Sequence, residues 1–197
     1  MSSSPVLPQT VHVSIGCDCA VAYQLRKLGL VENAFPFDWV KCDNPKMISY
    51  TLENEFSNFF SDFTLKEQSQ NFDKFPDSTI DLTINVKSRV KIILKNKMQF
   101  PHEATETEFD FDEFKKKYLR RINRFNQIVK SSDYKKVFVR SDNKTISDKD
   151  KHKLRDSLEK YGATNFEIKY ISYDDYPVSG EFTWQRSYID WKNIIKK

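Results

Sequence analysis

Three cysteines and three histidines are the side chains of this sequence best suited to nucleophilic or acid–base chemistry. Cys19 follows directly on an alternating segment, Val11–Gly16 (VHVSIG), and falls in the first turn of the next helix. At about 100° per residue it lies about 200° from Val21, away from the apolar stripe of Val21, Leu25 and Leu28. Free N–H groups and the dipole at a helix start favour a thiolate, below the ordinary cysteine pKa of about 8.5. The same N–H groups can hold an oxyanion. The competing reading is an inert buried side chain, because free cysteine is among the most buried residue types.

His102 stands in Gln99–Phe100–Pro101–His102–Glu103, which reads as an acidic, proline-flanked loop. It is a candidate general base whose pKa Glu103 would raise, against the plainer reading of an exposed loop histidine. His152 falls on the outer face of a charged helix, and His12 lies inside the first strand. Asp38 is set among Pro36, Phe37 and Trp39. A carboxylate there needs a partner, either a histidine or arginine it orients or a backbone N–H it caps. Arg120, Arg121 and Arg124 share one long helix, and Arg140 ends a strand at the expected edge of a site. Guanidinium groups suit phosphate or carboxylate recognition. Cys17 and Cys19 form a CxC pair with only Cys42 and His12 nearby, which falls short of the paired clusters of a zinc site, so no metal is expected.

The elements that must position these groups follow from periodicity. Val11–Gly16 is a strand, followed by a helix capped by Asp18 and stopped by Gly29. Asp43–Asn44–Pro45 opens a helix that buries Ile48, Leu52, Phe56 and Phe59–Phe60. Ser61 to Pro76 is loop-like, and Ile80–Val86 with Val90–Leu94 predicts a β-hairpin insertion around 79–95. Phe114, Tyr118, Ile122, Phe125 and Val129 form the stripe of a helix from Asp112 to Lys130, with Asp110, Asp112 and Glu113 at its start. Lys136–Arg140 is a strand, Ser147 and Asp150 open a helix through Tyr161 closed by Gly162, Phe166–Ser172 is a strand, and Trp184–Lys197 is a mostly helical tail. This order predicts one layered α/β domain over 11–197 after a flexible tail at 1–10, with a central, mostly parallel sheet flanked by helices. Sites in such folds collect at the carboxyl ends of the strands: Gly16–Cys19, Arg140–Asn143 and Ser172–Asp175.

Composition narrows the function. The 197 residues are 39% hydrophobic, 30% charged and 14% aromatic, enough for one aromatic-rich core under a polar surface. A net charge of +4 with interspersed signs predicts no nucleic-acid partner. No apolar run is long enough for a membrane helix, and the first residues lack a basic start and apolar core, so a cytoplasmic protein without a membrane partner is expected. An odd cysteine count fits a reducing compartment. With only 4 glycines, the chain has no glycine-rich phosphate loop, and no cofactor is expected.

The block Val13-Ser-Ile-Gly-Cys-Asp-Cys19-Ala-Val-Ala-Tyr-Gln-Leu-Arg26, with Pro36-Phe-Asp-Trp39, resembles a family described as putative papain-like cysteine peptidases of unknown function. Phe100-Pro-His102, Arg120-Arg-Ile-Asn-Arg-Phe125 and Phe138-Val-Arg140 extend the resemblance over nearly the whole chain. Where the family usually has Ser-Asn, this chain has Cys17-Asp18. The resemblance implies a cysteine hydrolase with Cys19 as nucleophile, His102 as base and Asp38 as the orienting carboxylate, Asp142 standing in reserve. The order of elements nonetheless argues for one layered domain rather than papain's long helix against a separate barrel. Two other functions are weighed beside it. One is a sugar or nucleotide-sugar transferase, with phosphate at the Gly16–Cys19 helix start, contacts from Ser14 and Gly16, and Arg121 or Arg140 as clamps. The other is a non-catalytic binding module. A small molecule, a glycan or a peptide is the expected class of substrate.

Overall fold

A computed structural model describes residues 8–60, 63–67, 90–94, 97–104, 109–176 and 184–196. Three strands, β1 (Gln9–Ser14), β5 (Tyr134–Asp142) and β6 (Phe166–Ser172), form a parallel sheet in the order β1-β5-β6. β5 is central, and its Val137, Phe138 and Val139 are buried, the continuous apolar run a doubly covered parallel strand needs. β1 starts two residues before the expected Val11.

The helices obey their end signals. α1 (Ala20–Lys27) stops at Gly29, where Gly29 and Leu30 donate to the Arg26 and Leu25 carbonyls. Gly29 has φ +67°, the left-handed turn that glycine enters without penalty. α2 (Pro45–Glu53) is capped by the Asn44 side chain, which accepts from Lys46 N–H. α3 (Phe111–Lys130) is capped by Asp110, and α4 (Asp148–Lys160) by Ser147. α5 spans only Trp191–Lys196. The segment from Trp184 to Asp190, expected to be helical, instead turns at Arg186 (φ 53°), whose carbonyl accepts from the Trp191 indole N–H at 2.8 Å.

A second, antiparallel sheet has the order β2-β3-β4, from β2 (Phe63–Glu67), β3 (Val90–Leu94) and β4 (Gln99–Ala104). It corrects two expectations. Part of the stretch read as loop from Ser61 is β2, and His102 lies on β4 rather than in a loop. Pro101 can occupy β4 because that strand is an edge of its sheet among the described residues. The second strand of the expected hairpin is β3, paired with β2 and β4, whereas Ile80–Val86 lie outside the described residues. Phe100 on β4 meets Phe114 and Tyr118 of α3 at 5.3 and 5.1 Å between ring centroids, which docks the second sheet on the main core. That core is largely aromatic: Phe125 contacts Phe35, Phe37, Phe56, Phe138 and Tyr161.

Candidate active site

The turn from β1 into α1 leaves no slack. A side chain at Gly16 would meet Val21 Cγ2 at 2.7 Å and Ser141 Oγ at 2.9 Å, so only glycine lets the chain pass. Ile15 and Cys17 continue the ladder, donating to the Val139 and Ser141 carbonyls at 2.9 and 3.0 Å. Asp18 then accepts from Ala20 N–H (3.0 Å) and from the Tyr173 hydroxyl (2.8 Å), while Arg186 lies 3.6 Å from its other oxygen. Cys19 is thereby fixed as the residue that opens α1. Its Sγ lies 3.5 Å from His102 Nε2, an interaction between residues 83 apart in the sequence.

The Pro36–Trp39 segment walls this pair. Asp38 accepts from Phe35 N–H at 3.0 Å and closes a tight turn. Trp39 leaves it with φ 61°, a conformation costly for a bulky residue and one that clusters at functional sites. Its indole stands edge-on to the His102 ring at 6.4 Å, and the Arg26 guanidinium lies over it at 5.7 Å. Cys19, Ala22, Tyr23 and Trp39 form a separate small cluster, against which Trp184 packs. Tyr23 meets Trp184 edge-on at 5.1 Å.

Burial dominates the electrostatics. The Cys19 thiol is pushed well above the ordinary range by burial, with the charges of Asp18 and Asp38 adding to the effect. Burial lowers His102 to about 4, with Glu103 opposing the shift. The resting pair is therefore a neutral thiol beside a neutral imidazole. The expectation of a thiolate favoured by the helix start fails because desolvation and two nearby carboxylates outweigh a dipole effect of about 1 kcal/mol. Burial raises Asp38 to about 6, against the Phe35 N–H and the guanidinium groups of Arg121, Arg26 and Arg124.

Residues 10–175 match a family described as "Putative papain-like cysteine peptidase (DUF1796)", a span that includes Cys19, Asp38 and His102. The chain belongs to this family. An uncharacterized protein of Acanthamoeba polyphaga mimivirus, R408, is 35% identical over 198 residues, an alignment covering 95% of this chain and 87% of that protein. No solved structure matches the chain. Among the described residues, no helix is long and apolar enough to cross a membrane.

Cys19 and His102 are brought together here, but the remaining candidates separate. Arg140 is fully buried and turned inward: it holds Asp142 through Nε and Nη2, the Ile15 carbonyl at 3.0 Å and the Cys42 carbonyl at 3.1 Å. It is a staple between β1, β5 and the Cys42 segment, closed to any substrate. Asp142 is engaged by the same staple and does not serve as a reserve orienting acid. Ser14 is buried with no bond to its hydroxyl among the described residues, and Gly16 is a point of close packing. Arg121 is buried over the Tyr118 ring, its Nη1 4.0 Å from Glu103, and Arg124 donates to the Ala34 carbonyl at 2.6 Å. Tyr23 and Trp184 were not anticipated as walls of the site. Tyr23 was readable, because four residues after Cys19 it shares a helix face with it.

Proposed function

We propose that the protein is a thiol hydrolase acting on an acyl compound, with Cys19 as nucleophile and His102 as general base. The observation that carries this reading is the 3.5 Å contact between Sγ and Nε2, made across two different sheets at a helix start. With both groups neutral at rest, proton transfer accompanies bond formation. The thiol proton passes to His102 Nε2 as the sulfur–carbon bond forms, and the Cys19 backbone N–H at the helix start faces the developing oxyanion. The imidazolium then gives that proton to the leaving nitrogen or oxygen as its bond to the carbonyl carbon breaks. Water hydrolyses the thioester with His102 again as base. Asp38 acts as a positioning residue, holding the turn that sets Trp39 against His102. Arg121, expected as a substrate clamp, is assigned instead the part of a counter-charge near Asp38.

The sugar or nucleotide-sugar transferase reading loses support, since Arg140 is sealed and the Asp18 carboxylate already occupies the helix start where its phosphate would bind. The test is a panel of peptide amides, esters and thioesters, quenched early and analysed by mass spectrometry. An acyl group on Cys19 that is absent from Cys19→Ala, and whose formation slows about 100-fold or more in His102→Ala, is the expected result. Turnover that survives Cys19→Ala would contradict it.

A further inference from the structure

β4 is bulged where it carries His102. Val90 of β3 pairs with Ala104 of β4, and Ile92 with Phe100. Between those pairs β3 has one residue, Lys91, and β4 has three, Pro101, His102 and Glu103. A bulge takes its extra residues out of the ladder and bends the strand, a device that re-aims side chains beside active sites. Ladder bonds therefore do not by themselves fix the direction of His102. Phe100, buried against Phe114 and Tyr118, anchors only the residue where the bulge begins.

The other end of the bulge is held by charge. The Glu103 side chain is only 8% exposed, and a carboxylate so placed needs partners. It takes them from one helix. Lys117 Nζ donates to both oxygens, at 3.0 and 2.7 Å, and the Tyr118 hydroxyl donates to Oε1 at 3.1 Å. Arg121 Nη1 lies 4.0 Å from Oε1, one turn further along α3 than Lys117. Bonds to an ionised partner are roughly twice as strong as neutral ones. α3 is a firm platform for this clamp, because Phe114, Tyr118, Ile122, Phe125 and Val129 are all buried along its inner face.

We propose that Glu103 is a positioning residue for His102: clamped to α3, it holds the bulge in the shape that brings Nε2 to the Cys19 sulfur. The assignment rests on Cys19 and His102 being the reacting pair. Glu103 acts through the backbone it shares with His102 rather than on the reacting atoms. Its charge reaches the ring as well. Burial lowers the His102 pKa, Glu103 opposes that effect and Lys117 adds to it. The groups that face the ring from elsewhere, the Cys19 thiol at the start of α1 and the Trp39 indole, are uncharged. Removing the Glu103 side chain thus loosens the aim of the imidazole. Removing only its charge leaves Lys117 unopposed and makes the ring harder to protonate.

The test compares the full chain with its Glu103→Ala and Glu103→Gln variants, the latter still able to accept from Tyr118. Iodoacetamide labelling of Cys19 at pH 7, where His102 is neutral, reads the aim of the ring. NMR of protein labelled in its imidazoles reads the His102 signals and their titration from pH 7 to pH 3. Glu103→Ala is expected to slow labelling about 10-fold or more and to displace the His102 signals. Glu103→Gln is expected to recover most of the rate while the His102 midpoint falls by about half a pH unit or more, a combination that lost stability alone does not produce. Where parent labelling depends on His102, a Glu103→Ala protein that labels at the parent rate, or leaves the ring signals unmoved, overturns the proposal. If Glu103→Ala does not fold, Glu103→Gln decides, and an unchanged midpoint overturns it. Parent labelling indifferent to His102→Ala contradicts the hydrolase reading instead, and the ring signals then test the hold on the bulge by themselves.

Discussion

At Asp38, burial and three guanidinium groups compete for one proton, and burial prevails. Its folded-state value of about 6 exceeds the ordinary 3.8, so folding takes up a proton between these values. This contribution to stability is fully present below the lower value and is lost as the pH rises through about 6. Asp38→Asn keeps an acceptor for Phe35 N–H and removes the charge. Thermal or urea unfolding should show it more stable than the parent at pH 8, by up to about 3 kcal/mol, with the gain shrinking below pH 5. A loss at pH 8 would mean that the arginines require the charge. The burial of Asp38 was legible from the three apolar residues around it, Pro36, Phe37 and Trp39, but its partner was not. Whether such a carboxylate caps a backbone N–H or orients an imidazole depends on a turn geometry that residue types leave open. Arg140 misled for a related reason: a strand-end arginine faces a site or the interior according to whether an acid two residues on folds back to meet it, as Asp142 does.

Helices and parallel strands were legible because their ends carry chemistry: Asp110, Ser147, Gly29 and Gly162 act where their types indicate. β2 and β4 were not. Five residues, Phe63–Glu67, are too short for a pattern, and Pro101 argues against a strand except at an edge, a position that becomes visible only once the sheet is assembled. Two glycine substitutions separate backbone conformation from close packing. Gly29→Ala adds a Cβ with nothing within 4 Å, so it should cost about 1–2 kcal/mol, through the left-handed φ alone, and leave Cys19 reactivity unaltered. Gly16→Ala drives a Cβ against Val21 and Ser141 and should cost about 1–3 kcal/mol while also slowing Cys19 modification, because the turn that aims the sulfur must shift. Urea denaturation with parallel thiol labelling distinguishes them, and equal effects on labelling would contradict this account of the turn.

Across the whole molecule, Cys19 comes from the parallel sheet's first crossover and His102 from an antiparallel sheet, and aromatic packing of Phe100 on α3 holds the two together. The layered α/β reading captured the first sheet. The separate second sheet depends on pairings between distant segments that no local pattern encodes. Arg140 secures the thiol's side of this assembly, and Arg140→Ala, which strands Asp142, should cost about 3–5 kcal/mol in urea unfolding, with a cost below 1 kcal/mol contradicting the staple. The meeting of thiol and imidazole is tested most directly by iodoacetamide labelling from pH 4 to pH 9, read by peptide mass mapping. The account predicts Cys19 modified first, at a rate nearly level from pH 8 to pH 5 and falling as His102 protonates near 4, with Cys17 and Cys42 lagging and His102→Ala removing the advantage. Equal, sluggish labelling of all three thiols, or a Cys19 rate indifferent to His102→Ala, would contradict it.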